Sequence, residues 1–262
     1  MPVNEDLLRS VVFLLDEEGG DPTGTGFLVL KVDFNVEHTY LVTAKHVVDN
    51  HLHTFMRFRT VQGSIHEVPL TTWEVHVSAD VAVQEVNFEL VEPRPYYNAY
   101  ALANAIDVHP MPSEGRLLGE RVYFVGLLDR VRAAMGKAMF PLVRAGTVAA
   151  LWQEGIHLAG NGTMTGHLID GRSIGGFSGA PCFVQAVGLS ADGDAGGMKL
   201  VEATRLLGIV VGHYEDSEFE SESSTLRLNT GIAIVLPVER VRELIDGKSL
   251  VQERRDWRES HL

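Results

Sequence analysis

Gly24-Thr25-Gly26-Phe27-Leu28-Val29, answered a few residues later by Tyr40-Leu41-Val42-Thr43-Ala44-Lys45-His46-Val47-Val48, reads as strand, turn and strand, with a histidine where the second strand ends. The same pattern recurs along the chain, as short apolar runs between Gly, Pro, Asn and Asp turns. Expected strands are Ser10–Leu15, Gly26–Val32, Thr39–Val42, Ala82–Val86, Arg121–Val125, Leu142–Val148, Ala180–Gln185, Leu206–Val211 and Gly231–Leu236. Long helices do not alternate with them, which argues against a doubly wound parallel sheet. Glycine, 26 of 262 residues, exceeds its usual share of about 7% and supplies the tight turns. The fold class is all-β, a barrel or sandwich.

At 262 residues the chain suits one large domain or two subdomains. Residues 1–95 hold the first strand set and residues 116–236 the second. Between them, 96–115 is a connector whose surroundings carry Pro93, Pro95, Pro110 and Pro112, and whose Tyr96-Tyr97 pair is placed between the halves. A helix begins at Pro237, where the missing N–H costs nothing. Val238, Val241, Leu244 and Ile245 make its apolar face and Gly247 its stop. Residues 237–262 are thus a C-terminal helix and tail. The tail Gln252–Leu262 is charged and expected to be solvated, with Trp257 the one residue suited to docking.

Hydrophobic residues at 45% and charged residues at 22% exclude wholesale disorder. A net charge of −13 repels a phosphate backbone, and no basic patch offsets it, so nucleic acid is not an expected partner. The only cysteine, Cys182, forbids an intramolecular disulfide and fits a reducing compartment. Met-Pro-Val-Asn-Glu-Asp puts acids before the apolar run Val11–Leu15, the reverse of a secretory signal, and no run approaches the ~20 apolar residues of a membrane span. The expected location is the cytoplasm, although a mature chain lacking its signal reads similarly.

Three segments carry chemistry. His46 ends one strand, Asp80 in Ser78-Ala79-Asp80-Val81-Ala82-Val83 precedes another, and Ser178 lies in Gly175-Gly176-Phe177-Ser178-Gly179-Ala180-Pro181. Glycines around a serine let the backbone turn sharply and leave the hydroxyl open. A serine hydroxyl needs a base within reach, and the base needs a partner that fixes its tautomer. His46 suits the base and Asp80 the partner. Asp49, the rival carboxylate, is expected on a helical turn facing outward. The N–H groups of Gly176 and Ser178 suit an oxyanion hole, where each donor contributes ~3 kcal/mol. The order His, Asp, Ser differs from the Ser, Asp, His order of α/β-hydrolases.

With these motifs in that order, the chain resembles the trypsin/chymotrypsin-like serine peptidases, and within them the HtrA/Deg-like bacterial branch. Gly119–Gly126, Arg144–Val148, Leu207–Gly212 and Gly231–Pro237 extend the likeness, which spans roughly residues 10–246. The resemblance implies two antiparallel six-stranded β-barrels with a C-terminal helix. It places the active site in the cleft, with His46 and Asp80 from the first barrel and Ser178 from the second. It also implies a serine endopeptidase acting on protein or peptide substrates. The departures matter. Where digestive relatives carry an aspartate that pairs with a new N-terminus, Phe177 stands, so activation by that route is not expected. About 16 residues follow the helix, so no PDZ module is expected in this chain. Phe177 also keeps open a second reading, a protease-fold binding module that is inactive or activated by a partner. A third reading, an esterase acting on small acyl groups, shares the chemistry.

Alignment on the serine puts Arg172 and Ser173 near the base of the primary substrate pocket, with Val211, Gly212 and His213 as its wall. Arg172, Ser173 and His213 together suit an acidic side chain, while an Arg172 turned to solvent does not. The acidic run Glu215–Glu222 reads as a solvated surface loop. Cys182 reads as a small buried apolar residue. His51 and His53 near His46 match no zinc spacing, and Asp192–Gly197 lacks the ligand spacing of a calcium loop and reads as a hairpin tip, so no metal or other cofactor is expected. His38, His66, His76, His109, His157, His167 and His261 carry no readable signal.

Overall fold

The computed structural model describes residues 4–49, 54–88, 91–106, 108, 117–127, 140–157, 162–172, 175–191, 198–221 and 224–261. It is predominantly β. Helix α1 (Glu5–Arg9) leads into β1 (Val11–Leu15), β2 (Pro22–Asp33), β3 (Val36–Thr43), the single-turn α2 (Lys45–Val48), β4 (Thr54–Arg59), β5 (Ile65–Leu70), β6 (Glu74–Val75), β7 (Ala82–Glu85) and β8 (Tyr100–Ala101). The second set is β9 (Arg121–Gly126), β10 (Leu142–His157), β11 (Thr163–Asp170), β12 (Pro181–Ala191), β13 (Met198–Ser221) and β14 (Ser224–Pro237). Helices α3 (Val238–Ile245) and α4 (Lys248–His261) follow.

The second set closes into a ring of six strands, β10-β11-β14-β13-β12-β9. Among the described residues the first is an open sheet rather than a second closed ring. Its hydrogen-bonded order is β5-β4-β1-β2-β3-β7-β6, with β8 added in parallel to β2. The two ends explain the opening. Strand β5 carries Pro69, which has no N–H to give a further neighbour, and β6 is two residues long. Phe27, Leu28, Val29, Tyr40, Leu41 and Val42 are fully buried, because β2 and β3 are covered on both faces. They share one apolar cluster with Phe183, Leu206, Ile209 and Ile234 of the second sheet and with Val241 and Ile245 of α3. A second cluster, including Phe124, Phe177, Cys182 and Val235, fills the ring.

Several expectations change. The tail is helical rather than frayed: α4 spans it, and while Gln252, Glu253 and residues 255–260 are exposed as expected, Arg254 is buried. The guanidinium reaches Asp33 Oδ2 at 3.0 Å, the Tyr40 hydroxyl at 2.9 Å and the Ile245 carbonyl at 2.9 Å, partners that a buried cation requires. Burial pushes the Tyr40 hydroxyl up to about 12. The expected loop over Glu215–Glu222 is largely strand, since Glu215 through Ser221 pair with β14. Glu222 itself and the hairpin tip at 192–197, between the paired Ala191 and Met198, lie outside the described residues. Tyr96 lies under Arg9 and Tyr97 against Phe88, and both line a pocket that Phe140 and Pro141 of the second half also border.

His167 of β11 is fully buried in the second sheet, where its Nδ1 accepts the Trp152 N–H at 3.2 Å. Burial lowers its pKa from 6.5 to about 4. The unfolded chain therefore binds this proton at a higher pH than the folded one. Stability from this group is complete above about pH 6.5 and falls by up to about 1.4 kcal/mol per pH unit toward about pH 4. Urea unfolding of wild type and His167→Gln between about pH 7 and about pH 4.5 should show the difference between the two shrinking as pH drops. A constant difference would assign the acid sensitivity elsewhere.

Candidate active site

Antiparallel pairing of β3 with β7 sets Thr43 opposite Ala82. The C-terminal end of β3 thus lies beside the N-terminal approach to β7, and the residues just beyond each end, His46 and Asp80, meet. Asp80 Oδ2 lies 2.6 Å from His46 Nδ1, and Asp80 Oδ1 accepts the His46 backbone N–H at 2.9 Å. A carboxylate can only accept here, so Nδ1 carries a proton, and in the neutral imidazole Nε2 then has the free lone pair. The Asp80 side chain is 17% exposed and that of His46 38%, so the acid is sheltered and the ring is open on one side. Asp49 is exposed at the end of α2.

Ser178 comes from the turn before β12. The loop touches the first sheet through Thr25, whose amide donates to the Ser178 carbonyl at 3.1 Å. The Thr25 hydroxyl donates to the Gly176 carbonyl at 2.7 Å and accepts the Leu127 N–H at 2.9 Å. The Thr25 carbonyl in turn accepts the Thr43 hydroxyl at 2.8 Å. Gly179 fits so closely that an added Cβ would stand 2.1 Å from the Thr25 carbonyl oxygen and 3.1 Å from the Ala44 nitrogen. Ala44 is two residues from His46, so the serine loop is seated on the strand end that carries the histidine. Among the described residues no hydrogen bond joins the Ser178 hydroxyl to the His46 ring. Sequence reasoning misses Thr25, whose only signal is its place between two glycines.

Gly176 adopts φ +95°, a conformation glycine takes freely, and is half-buried. Phe177 next to it is fully buried in the ring cluster. Gly126 has no room for a side chain beneath it, since a Cβ added there would stand 3.2 Å from the Phe177 ring. Burial of the Phe177 ring anchors this side of the loop, stabilising by about 2 kcal/mol.

Around the expected substrate pocket, Gly171 N–H donates to the Gly231 carbonyl at 2.8 Å, which sets Arg172 beside the start of the paired part of β14. Arg172 is exposed, the arrangement that does not suit an acidic side chain. Val211 is 4% exposed and belongs to the shared core, while Gly212 and His213 are half-buried on β13, opposite Ile234 and Ala233. Ser173 lies outside the described residues. Cys182 is buried and free, its thiol pushed up by desolvation and so held protonated. Among the described residues no group of three or more His, Cys, Asp or Glu side chains is arranged to hold a metal, and no helix is long and apolar enough to cross a membrane.

A mostly β fold, with a histidine–aspartate pair from one sheet facing a glycine-bounded serine loop from the other, defines a peptidase-like class. Residues 24–189 match the family model described as the trypsin-like peptidase domain, and the chain belongs to that family. Similar solved structures include the MamO protease domain from Magnetospirillum magneticum (apo form), 16% identical with a TM-score of 0.52, covering 91% of this chain and 96% of that one. The Rv3671c protease, inactive form, is 17% identical with a TM-score of 0.52, covering 94% and 91% respectively. Deg5 is 15% identical with a TM-score of 0.53, covering 91% and 88%. At these identities the likeness is one of fold. No curated protein matches the chain.

Proposed function

We infer that the protein is a serine endopeptidase that hydrolyses peptide bonds of protein substrates through an acyl-enzyme. The observation that carries this reading is the 2.6 Å contact of His46 Nδ1 with Asp80, made beside a serine loop that Thr25 and Gly179 seat on the same strand end. Ser178 Oγ attacks the substrate carbonyl and gives its proton to His46 Nε2. The amide N–H groups of Gly176 and Ser178 receive the charge on the carbonyl oxygen. The C–N bond then breaks as His46 protonates the leaving amine. Water, activated by the same ring, cleaves the ester and restores Ser178. Arg172, Gly212 and His213 line the primary substrate pocket in this reading. No cofactor enters this chemistry, and the absence of disulfides is compatible with work in the cytoplasm. The N-terminal half, 1–95, supplies base and acid, and 116–236 supplies nucleophile and oxyanion donors.

A fluorophosphonate, which reacts with activated serines whatever the peptide preference, tests this directly. Wild type should be labelled at one site, Ser178→Ala should lose all labelling, and its thermal midpoint should stay near that of wild type. Equal labelling of the two proteins would end the reading. The missing Ser178–His46 hydrogen bond favours a second reading, a module completed by a partner. Catalytic hydrogen bonds often tighten only with substrate present, which keeps the endopeptidase reading first. The second reading expects labelling of Ser178 only after a peptide or protein partner is added.

A further inference from the structure

His76 lies in the short segment that delivers Asp80. Its ring Nδ1 accepts two backbone N–H groups, from Ser78 at 3.2 Å and from Ala79 at 3.0 Å. Its own backbone N–H donates to the Val81 carbonyl at 3.0 Å, and the Val81 N–H returns to the Ala79 carbonyl at 2.9 Å. Residues 76–81 are therefore wound around one imidazole, and Asp80 sits inside the loop so formed. Because Nδ1 accepts twice, the ring proton is on Nε2, which donates to Glu243 Oε2 of α3 at 3.2 Å. Arg240 holds that carboxylate at 2.9 and 2.7 Å. The His76 side chain is 11% exposed, so water replaces these bonds poorly. The neighbouring Val77 is 95% exposed, so the segment has no apolar anchor at that position. Val81, directly after Asp80, is fully buried and anchors that end of the segment, and the polar loop around His76 fixes the turn that leads into Asp80.

We propose that His76 is a positioning residue for the candidate triad: its Nδ1 organises the 78–80 backbone so that both Asp80 oxygens face His46, and Glu243 sets the plane of its ring. This rests on the peptidase reading of the same site. Asparagine can present its amide oxygen where Nδ1 lies, whereas glutamine reaches only the Nε2 position. His76→Asn should therefore label with fluorophosphonate within about twofold of wild type, and His76→Gln and His76→Ala should be slower by about tenfold, the range of one or two lost hydrogen bonds. The His46 Nδ1–H proton resonance, displaced downfield by its short bond to Asp80, gives a readout that needs no turnover. It should persist in His76→Asn and move upfield or broaden in His76→Gln and His76→Ala, with all three folded by circular dichroism.

An unchanged resonance in His76→Ala, or a His76→Asn protein as slow as His76→Ala, would overturn the proposal. A shifted resonance in a protein whose wild type takes no label would leave the positioning role standing and defeat the peptidase reading instead.

Discussion

Asp80→Asn should slow fluorophosphonate labelling of Ser178 by about four orders of magnitude at neutral pH. Asp80 meets two donors on the same residue, the His46 backbone N–H at 2.9 Å and the ring Nδ1–H at 2.6 Å. A carboxylate satisfies both. An asparagine has one oxygen and one NH2 group, so it satisfies only one. If its oxygen keeps the backbone N–H, its NH2 faces Nδ1, and the ring moves its proton to Nε2. The nitrogen that should take the Ser178 proton then already carries one. If its oxygen turns to Nδ1 instead, the NH2 opposes the backbone N–H and the start of α2 must shift. Either way the side chain keeps its volume, so the thermal midpoint should move little. The result to look for is a large loss in labelling rate with near wild-type unfolding. Labelling within tenfold of wild type would remove Asp80 from the mechanism.

The contrast between what the sequence disclosed and what it hid has a physical basis. His46, Asp80 and Ser178 are legible as candidates because a base, an orienting acid and a nucleophile each demand a side-chain type, and turn glycines mark the last. Strands such as Arg121–Gly126 were legible as apolar runs. Thr54–Arg59 was not: Thr54, Met56 and Phe58 face inward with period two, but Arg57 and Arg59 on the other face made the segment read as polar. Thr163–Asp170 was obscured by Gly166 and His167, a glycine needed for close approach to the Val235 carbonyl and a histidine that is buried neutral. Arg254 sits in a charged tail, and only its pairing with Asp33 and Tyr40 offsets the cost of burying it. Thr25 and His76 work through backbone groups of other segments, and backbone groups are the same in every sequence. That is why the supports of the candidate site were read far less well than its reactive side chains.

Gly179→Ala should disrupt both the fold and the candidate site. Two effects combine. Gly179 has φ +84°, a conformation that costs an alanine about 1 kcal/mol or somewhat more. The new Cβ would also stand 2.1 Å from the Thr25 carbonyl oxygen and 2.2 Å from Thr43 Oγ1, inside the hydrogen bond those two atoms make. Neither can yield alone, since Thr25 is a backbone carbonyl in the middle of β2 and Thr43 is fully buried. The serine loop must withdraw, releasing the Thr25 N–H from the Ser178 carbonyl and the Gly179 N–H from Val210. Unfolding in urea should show a loss of about 3 to 5 kcal/mol, and labelling of Ser178 should fall at least about a thousandfold. Gly63 supplies the control, because it has φ +83° and nothing within 4 Å of an added Cβ. Gly63→Ala should cost about 1 kcal/mol and leave labelling unchanged. The difference between the two substitutions isolates the contact of the serine loop with the histidine strand from backbone strain alone. If Gly179→Ala matched Gly63→Ala in both stability and labelling, that contact would not be what holds Ser178 in place.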